Sequence, residues 1–252
     1  MNTLQVRREK NIGIIQFHRP EHLNAFNQEM LIELEDTIEN FNQDSEVSIL
    51  LFQGDDKAFI AGGDMTEHLV ENREEVYPYL LRVGELMEKI SSLDKLTIAA
   101  VEGVTIGGGC ELVTSCDMCI ASESASFRYI QARLGISTAW GGGSRLIQKV
   151  GVSKAIPLLL TGEKVSAKQA YDLGLVDQLL PSENFTKGVL SFAKRLARAP
   201  QPLIQLYKQL GQQIANGTPL SQLYPIEADV CSRLWESETH RKAVNAFFQR
   251  SK

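Results

Sequence analysis

Long apolar runs are missing from this chain: no stretch of its 252 residues approaches the roughly 20 apolar positions of a membrane-spanning helix. The first residues, Met1-Asn2-Thr3-Leu4-Gln5-Val6-Arg7-Arg8, lack the charged head and apolar stretch of a secretory signal, so a cytoplasmic location is the expectation. Basic clusters are scarce too. Lys and Arg number 26 against 31 Asp and Glu, and Arg7-Arg8-Glu9-Lys10 is as dense as the basic residues become, which argues against nucleic acid as a partner. Cysteine occurs four times, at no zinc-type spacing, and the four histidines (His18, His22, His68, His240) are scattered. No metal is expected, and the cysteines read as buried free thiols. No serine stands with the His and Asp partners of a nucleophilic triad, and no repeat of 20 to 50 residues is evident.

Apolar residues make up 43% of the chain, enough for a sizeable core. The pattern alternates: Ile12 to Phe17 as a strand, a helix from Asn27 to Phe41, Val47 to Phe52, a helix over Arg73 to Ile90, then Leu96 to Val101 and Asp117 to Ala121 as strands. This is an α/β arrangement. From Val152 onward helices dominate, over Lys154 to Leu160, Ala167 to Asp172, Phe185 to Ala199, Leu203 to Ala215 and Ile226 to Phe248. We divide the chain into a core over residues 1–195 and a helical region over residues 196–252, with no linker long enough to release an independent domain.

Two glycine-rich turns carry the chemistry: Ala61-Gly62-Gly63-Asp64-Met65, and Ile106-Gly107-Gly108-Gly109-Cys110-Glu111-Leu112. Each follows a strand-like run, Ile49 to Phe52 and Ile98 to Val101, and leads into a helix-like pattern. A turn without side chains exposes its N–H groups, and two such turns side by side can hold one oxygen between two donors. Gly108 and Glu111, three residues apart at a helix start, share one side of the first turn, so that a backbone donor and a carboxylate can face one substrate. A plainer reading stays open, in which Gly107 to Gly109 form a close-packed turn and Glu111 is a solvated first-turn acid. Phosphate binding fits less well, since neither turn continues into Gly-Lys-Ser or Gly-Lys-Thr. The six-residue dinucleotide spacing is absent, and a nicotinamide dehydrogenase fits worst.

With these turns, the chain resembles the crotonase, or enoyl-CoA hydratase/isomerase, superfamily from about Val6 to Phe247. The opening motif is similar to His18-Arg19-Pro20-Glu21-His22-Leu23-Asn24-Ala25-Phe26, the two oxyanion loops to Lys57 through Met65 and Glu102 through Leu112, and further motifs to Gly141-Gly142-Gly143-Ser144-Arg145-Leu146 and Ala167 through Asp177. The resemblance implies a spiral of ββα turns, a C-terminal helical region that builds homotrimers or homohexamers, and an acyl-CoA thioester as substrate with no further cofactor. It also implies an oxyanion hole from the N–H groups of Gly63 and Gly108. Leu23, Ala25, Ala61, Asp64 and Met65 then occupy positions that line the CoA moiety, and Glu111 is the proton-transferring acid/base.

Two-carboxylate hydratases of this superfamily place a second acid about 20 residues after the first, where this chain has Gln131. An amide cannot exchange a proton as a carboxylate does, although it can orient a water or bind a substrate carboxylate. Leu134-Gly135-Ile136 and Trp140-Gly141-Gly142 beside Gln131 look like the ethylmalonyl-CoA decarboxylase branch. The leading expectation is therefore an enolate-forming lyase or isomerase, with a decarboxylase of methylmalonyl- or ethylmalonyl-type thioesters as the alternative. A catalytically quiet acyl-CoA binder is the reading from another class. His68 and Trp140 are weak candidates for the acyl pocket, as are Tyr77 and Tyr79.

Overall fold

The computed structural model describes residues 1–67 and 72–250, which form two compact units, Met1–Arg198 and Ala199–Lys252. Unit 1 begins with a hairpin of β1 (Leu4–Glu9) and β2 (Ile12–Phe17), followed by α1 (Gln28–Gln43), β3 (Ile49–Gln53), β4 (Ala58–Ile60) and α2 (Arg73–Ser92). It continues through β5 (Leu96–Val101), β6 (Val104–Ile106), α3 (Gly108–Ser115), β7 (Met118–Ser122), β8 (Ser126–Arg128), α4 (Gly142–Val150) and α5 (Val152–Thr161). β9 (Val165–Ser166), α6 (Ala167–Leu173), β10 (Gln178–Leu180) and α7 (Phe185–Leu196) complete it. From β3 to β8, successive strands go to alternate sheets. One sheet has the order β1-β2-β3-β5-β7-β10 and the other β4-β6-β8-β9, so that the chain repeatedly lays a strand in each sheet before its helix.

The larger sheet is parallel from β2 to β10 and buried on both faces, which explains why its strands read as unbroken apolar runs. In β3, Leu50 and Phe52 point to the central core while Ile49 and Leu51 point to the opposite face. β5 divides in the same way, Ala99 and Val101 against Ile98 and Ala100. The second face is covered by Phe185, Val189 and Ala193 of α7. α1 places Met30, Leu31, Leu34, Ile38 and Phe41 in the central core, and its start is fixed by Asn27, whose side chain accepts the Met30 N–H.

Unit 2 contains α8 (Gln201–Ala215), α9 (Leu220–Trp235) and α10 (Glu238–Arg250), with a small core of Leu206, Leu210 and Leu223. The single helix expected over Ile226 to Phe248 is in fact broken. Ser237 ends α9 by donating its N–H to Leu234 O, and its hydroxyl then accepts the His240 N–H to start α10. A serine cap overrides the continuous apolar period. Among the described residues, no helix is long and apolar enough to cross a membrane.

Candidate active site

The two glycine turns meet because the strands before them are neighbours. β4 and β6 pair in parallel, Ala58 with Val104 and Ile60 with Thr105, so both turns leave the same end of the sheet. Gly62 (φ 100°) and Gly107 (φ 54°) adopt backbone conformations that side chains resist. A Cβ built on Gly107 lies 3.8 Å from Gly62 Cα, which places the turns in direct contact. Gly109 lets α3 press against β4, since a Cβ there would stand 2.3 Å from Ile60 O.

Gly63 pairs with Phe26 through an isolated parallel bridge, in which Phe26 donates to Gly62 O and Asp64 donates to Phe26 O, both at 2.8 Å. That pattern leaves the Gly63 N–H unused. Gly108 opens α3, where a helix has no internal acceptor for its N–H. Among the described residues, neither amide donates to a backbone or side-chain acceptor.

The segment that contains Leu23 and Ala25 is tied to the first turn. Leu23 and Asn24 take left-handed φ values of 49° and 57°, supported by Asn24, which accepts the Arg19 N–H and donates to Ala58 O. Ala61 donates to Leu23 O, so Leu23, Ala25, Ala61, Asp64 and Met65 fall in one neighbourhood, with Leu23 and Met65 exposed. The Asp64 carboxylate, however, faces the protein. It accepts from the Thr66 hydroxyl at 2.6 Å and from Arg19 Nη2 at 3.0 Å. Those bonds, that from Thr66 above all, hold it below the usual carboxylate range although burial opposes them. Arg19 also donates to Ala25 O, a clamp between the two loops that the sequence reading did not foresee.

Glu111 is 2% exposed, which overturns the reading of it as a solvated first-turn acid. Four donors converge on it. Oε2 accepts the N–H groups of Trp140 (2.8 Å) and Gly142 (3.0 Å), and Oε1 accepts Gln131 Nε2 (3.0 Å) and the Ala139 N–H (3.4 Å). The Gly142 N–H belongs to the first turn of α4, so the positive end of that helix also faces the carboxylate. Burial nevertheless dominates and pushes the Glu111 carboxyl above the ordinary glutamate range, with the four hydrogen bonds opposing it.

Trp140 packs its ring between these parts. A Cβ on Gly108 would stand 2.1 Å from the ring and one on Gly63 3.8 Å, and the ring meets Phe26 at 5.1 Å between centroids. Arg145 holds the Trp140 carbonyl and also pairs with Glu88 of α2. The amides of Ala139, Trp140 and Gly142 were not foreseen as partners of Glu111; their one sequence signal is Gly142, where a Cβ would stand 2.3 Å from Glu111 Cγ. His68 lies outside the described residues. Tyr77 is largely exposed on α2.

No group of three His, Cys, Asp or Glu side chains suited to a metal ion occurs among the described residues. Cys110, Cys116 and Cys119 are buried free thiols, with Cys110 pushed up to about 12 by burial, whereas Cys231, on a small helical unit, is exposed, against expectation.

Residues 7–252 match the sequence model described as enoyl-CoA hydratase/isomerase. A probable enoyl-CoA hydratase of Rhizobium meliloti is 32% identical over 250 residues, covering 99% of this chain and 96% of that protein. The 2,3-dehydroadipyl-CoA hydratase of Escherichia coli is 31% identical, covering 99% and 97%. Among solved structures, an enoyl-CoA hydratase from Bacillus anthracis superposes with a TM-score of 0.90 at 27% identity, covering 98% of this chain and 96% of its own.

Proposed function

The chain belongs to the enoyl-CoA hydratase/isomerase family, and from that premise we propose that it is an acyl-CoA lyase or isomerase working through a thioester enolate. The thioester oxygen sits between the N–H groups of Gly63 and Gly108, each such donor contributing about 3 kcal/mol to an oxyanion. Glu111 moves the proton. The observation that carries this reading is its buried carboxyl, raised above the ordinary range and anchored beside the two glycine turns. A general acid/base is most effective with its pKa moved toward neutrality. Oε2 is the anchored oxygen, and Oε1, whose Ala139 contact at 3.4 Å is the longest of the four, is the one that exchanges the proton. Gln131 steers it through Nε2.

Leu23, Ala25, Ala61, Asp64 and Met65 form the CoA side of this reading, with Asp64 acting through loop geometry, since its carboxylate is committed to Thr66 and Arg19. The protein acts in the cytoplasm as a homotrimer or homohexamer, and the exposed Leu220, Tyr224, Trp235, Phe247 and Phe248 of unit 2 are the apolar residues that such an assembly would cover. A decarboxylase has less support: a substrate carboxylate at Gln131 would lie beside Glu111 in a buried site, where like charges are costly.

The test is the mass of products formed from a panel of acyl-CoA thioesters that includes crotonyl-CoA and methylmalonyl-CoA. Gain of water, or isomerisation without mass change, is the expected result. Loss of carbon dioxide would replace this reading with the decarboxylase, and absence of turnover with every thioester would leave the quiet binder.

A further inference from the structure

Trp140 is held through its backbone and its side chain at once. Its N–H donates to Glu111 Oε2 at 2.8 Å, and its carbonyl accepts from Arg145 Nη1, also at 2.8 Å, with Arg145 tied in turn to Glu88 of α2. The side chain is 5% exposed and belongs to the central core. Its ring lies against Phe26, and Phe26 is itself locked to the first glycine turn by the bridge to Gly63. An indole fixed in this way does not swing aside for a ligand, because close-packed interiors transmit strain rather than yield to it.

The outer edge of the six-membered ring stands across both glycine turns. A Cβ built on Gly108 would lie 2.1 Å from Cζ3, and one built on Gly63 would lie 3.8 Å from Cζ2 of the same edge. One side chain therefore borders both residues whose N–H groups are unused, while the backbone of the same residue bonds the acid. When a thioester oxygen sits on those amides, the carbons that follow it lie between them and Glu111, and so against the indole. The residues assigned to CoA are on the other flank, beside the first turn, where Ala61 donates to Leu23 O. An acyl chain then runs from that flank toward the segment that carries Trp140.

We infer that the indole of Trp140 closes the acyl pocket, so that the site takes short acyl groups of butyryl size and turns away octanoyl and longer ones. This rests on the enolate reading above and deepens it by naming the acyl group. In an open apolar pocket each added methylene strengthens binding by burying more surface. Against a wall that cannot move, an added methylene has to displace packed atoms, and overpacking is costly. Chain length therefore acts in the opposite direction here: affinity falls as the chain grows. Trp140 is a specificity-determining residue in this account, and the proton transfer is left to Glu111.

The experiment measures binding of butyryl-CoA and octanoyl-CoA to the full-length protein by calorimetry. Both acyl groups are saturated, so neither can be hydrated, and the ratio of the two Kd values cancels the CoA part that they share. The parent should bind butyryl-CoA at least about tenfold more tightly, the scale on which an apolar pocket discriminates by size. Trp140→Ala, which opens the pocket, should move the ratio at least about tenfold toward octanoyl-CoA. Trp140→Phe keeps a ring against Phe26 but withdraws the outer edge from the glycine turns, and should move the ratio the same way by a smaller factor. A parent that binds octanoyl-CoA as tightly as butyryl-CoA, or more tightly, would overturn the inference. So would variants that leave the ratio unchanged, whatever they do to both affinities, since Trp140 would then only support the fold. Should Trp140→Ala fail to fold, Trp140→Phe decides by the same criterion. Exchange of the C2 protons into deuterated water checks the enolate reading separately. A parent that selects butyryl-CoA without exchanging its protons would keep the closed pocket and lose that reading, and one that binds and exchanges both thioesters alike would do the reverse. Absence of binding by either thioester would sink the two together.

Discussion

Replacing Glu111 with glutamine separates catalysis from folding, because the geometry sets both costs. Four donors meet the carboxylate, two on each oxygen. The new amide would place its oxygen at the Oε2 position and keep the Trp140 and Gly142 N–H groups, bonds of 2.8 and 3.0 Å in the parent. Its NH2 would then face Gln131, whose own amide turns over to accept from it, and only the Ala139 N–H, already at 3.4 Å, loses its acceptor. One weak neutral hydrogen bond costs about 1 kcal/mol, partly offset because no charge is buried any longer. For a chain of this size that is a melting shift of about 2 to 4 °C. Turnover, by contrast, loses the proposed proton carrier and should fall by a factor of about 10² to 10⁴. The assays are crotonyl-CoA hydration, followed by loss of the conjugated thioester absorbance, and thermal unfolding of the same preparation. Activity within about tenfold of the parent would remove Glu111 from the chemistry. A melting point lowered by more than about 10 °C would show instead that the four donors require a charge and that Glu111 is chiefly structural.

The same acid sets a pH dependence of stability. Its folded pKa lies above its unfolded value of about 4.3, so its contribution is complete below that value and is lost as pH rises through the folded pKa. The melting difference between parent and Glu111→Gln should therefore shift against the parent as pH rises from about 4; a constant difference would contradict the burial argument. Gly142→Ala puts a methyl 2.3 Å from Glu111 Cγ and 2.7 Å from its Cα. It should lower kcat by about 10² through displacement of the acid, and a variant of normal kcat would show that its position does not matter. Asp64→Asn leaves Arg19 without its carboxylate and should cost about 3 kcal/mol in denaturant unfolding, the low end for breaking a buried pair. Its KM for an acyl-CoA should rise more than its kcat falls, because the loops it ties are those assigned to CoA; an unchanged KM would remove Asp64 from that side of the site.

The glycine turns and Glu111 were legible because backbone freedom and charge are written in residue type. Their convergence was less so: it depends on β4 and β6, three-residue strands too short to show a period. The larger sheet was easier to read, since strands buried on both faces leave unbroken apolar runs such as Ile49 to Phe52. The hairpin partner β1 escaped notice because four of its six residues are exposed, so its sequence carries almost no apolar signal. The amides that hold Glu111 left no trace in side chains, and the exposure of an acid in a helix's first turn cannot be told from spacing alone. In α3 all eight residues are buried, which no amphipathic pattern announces.

The substitution that first weakened a hydratase reading is the one that the geometry makes intelligible. A glutamate at position 131 with an oxygen 3.0 Å from Glu111 would put two carboxylates in one buried site, where both cannot ionise and a proton must be shared between them. The amide removes that conflict. It donates to Glu111 from one end and leaves a neutral acceptor at the other, so no second carboxylate stands beside the acid. What is given up is basicity at position 131, which leaves Glu111 as the one carboxyl available to the proposed proton transfer.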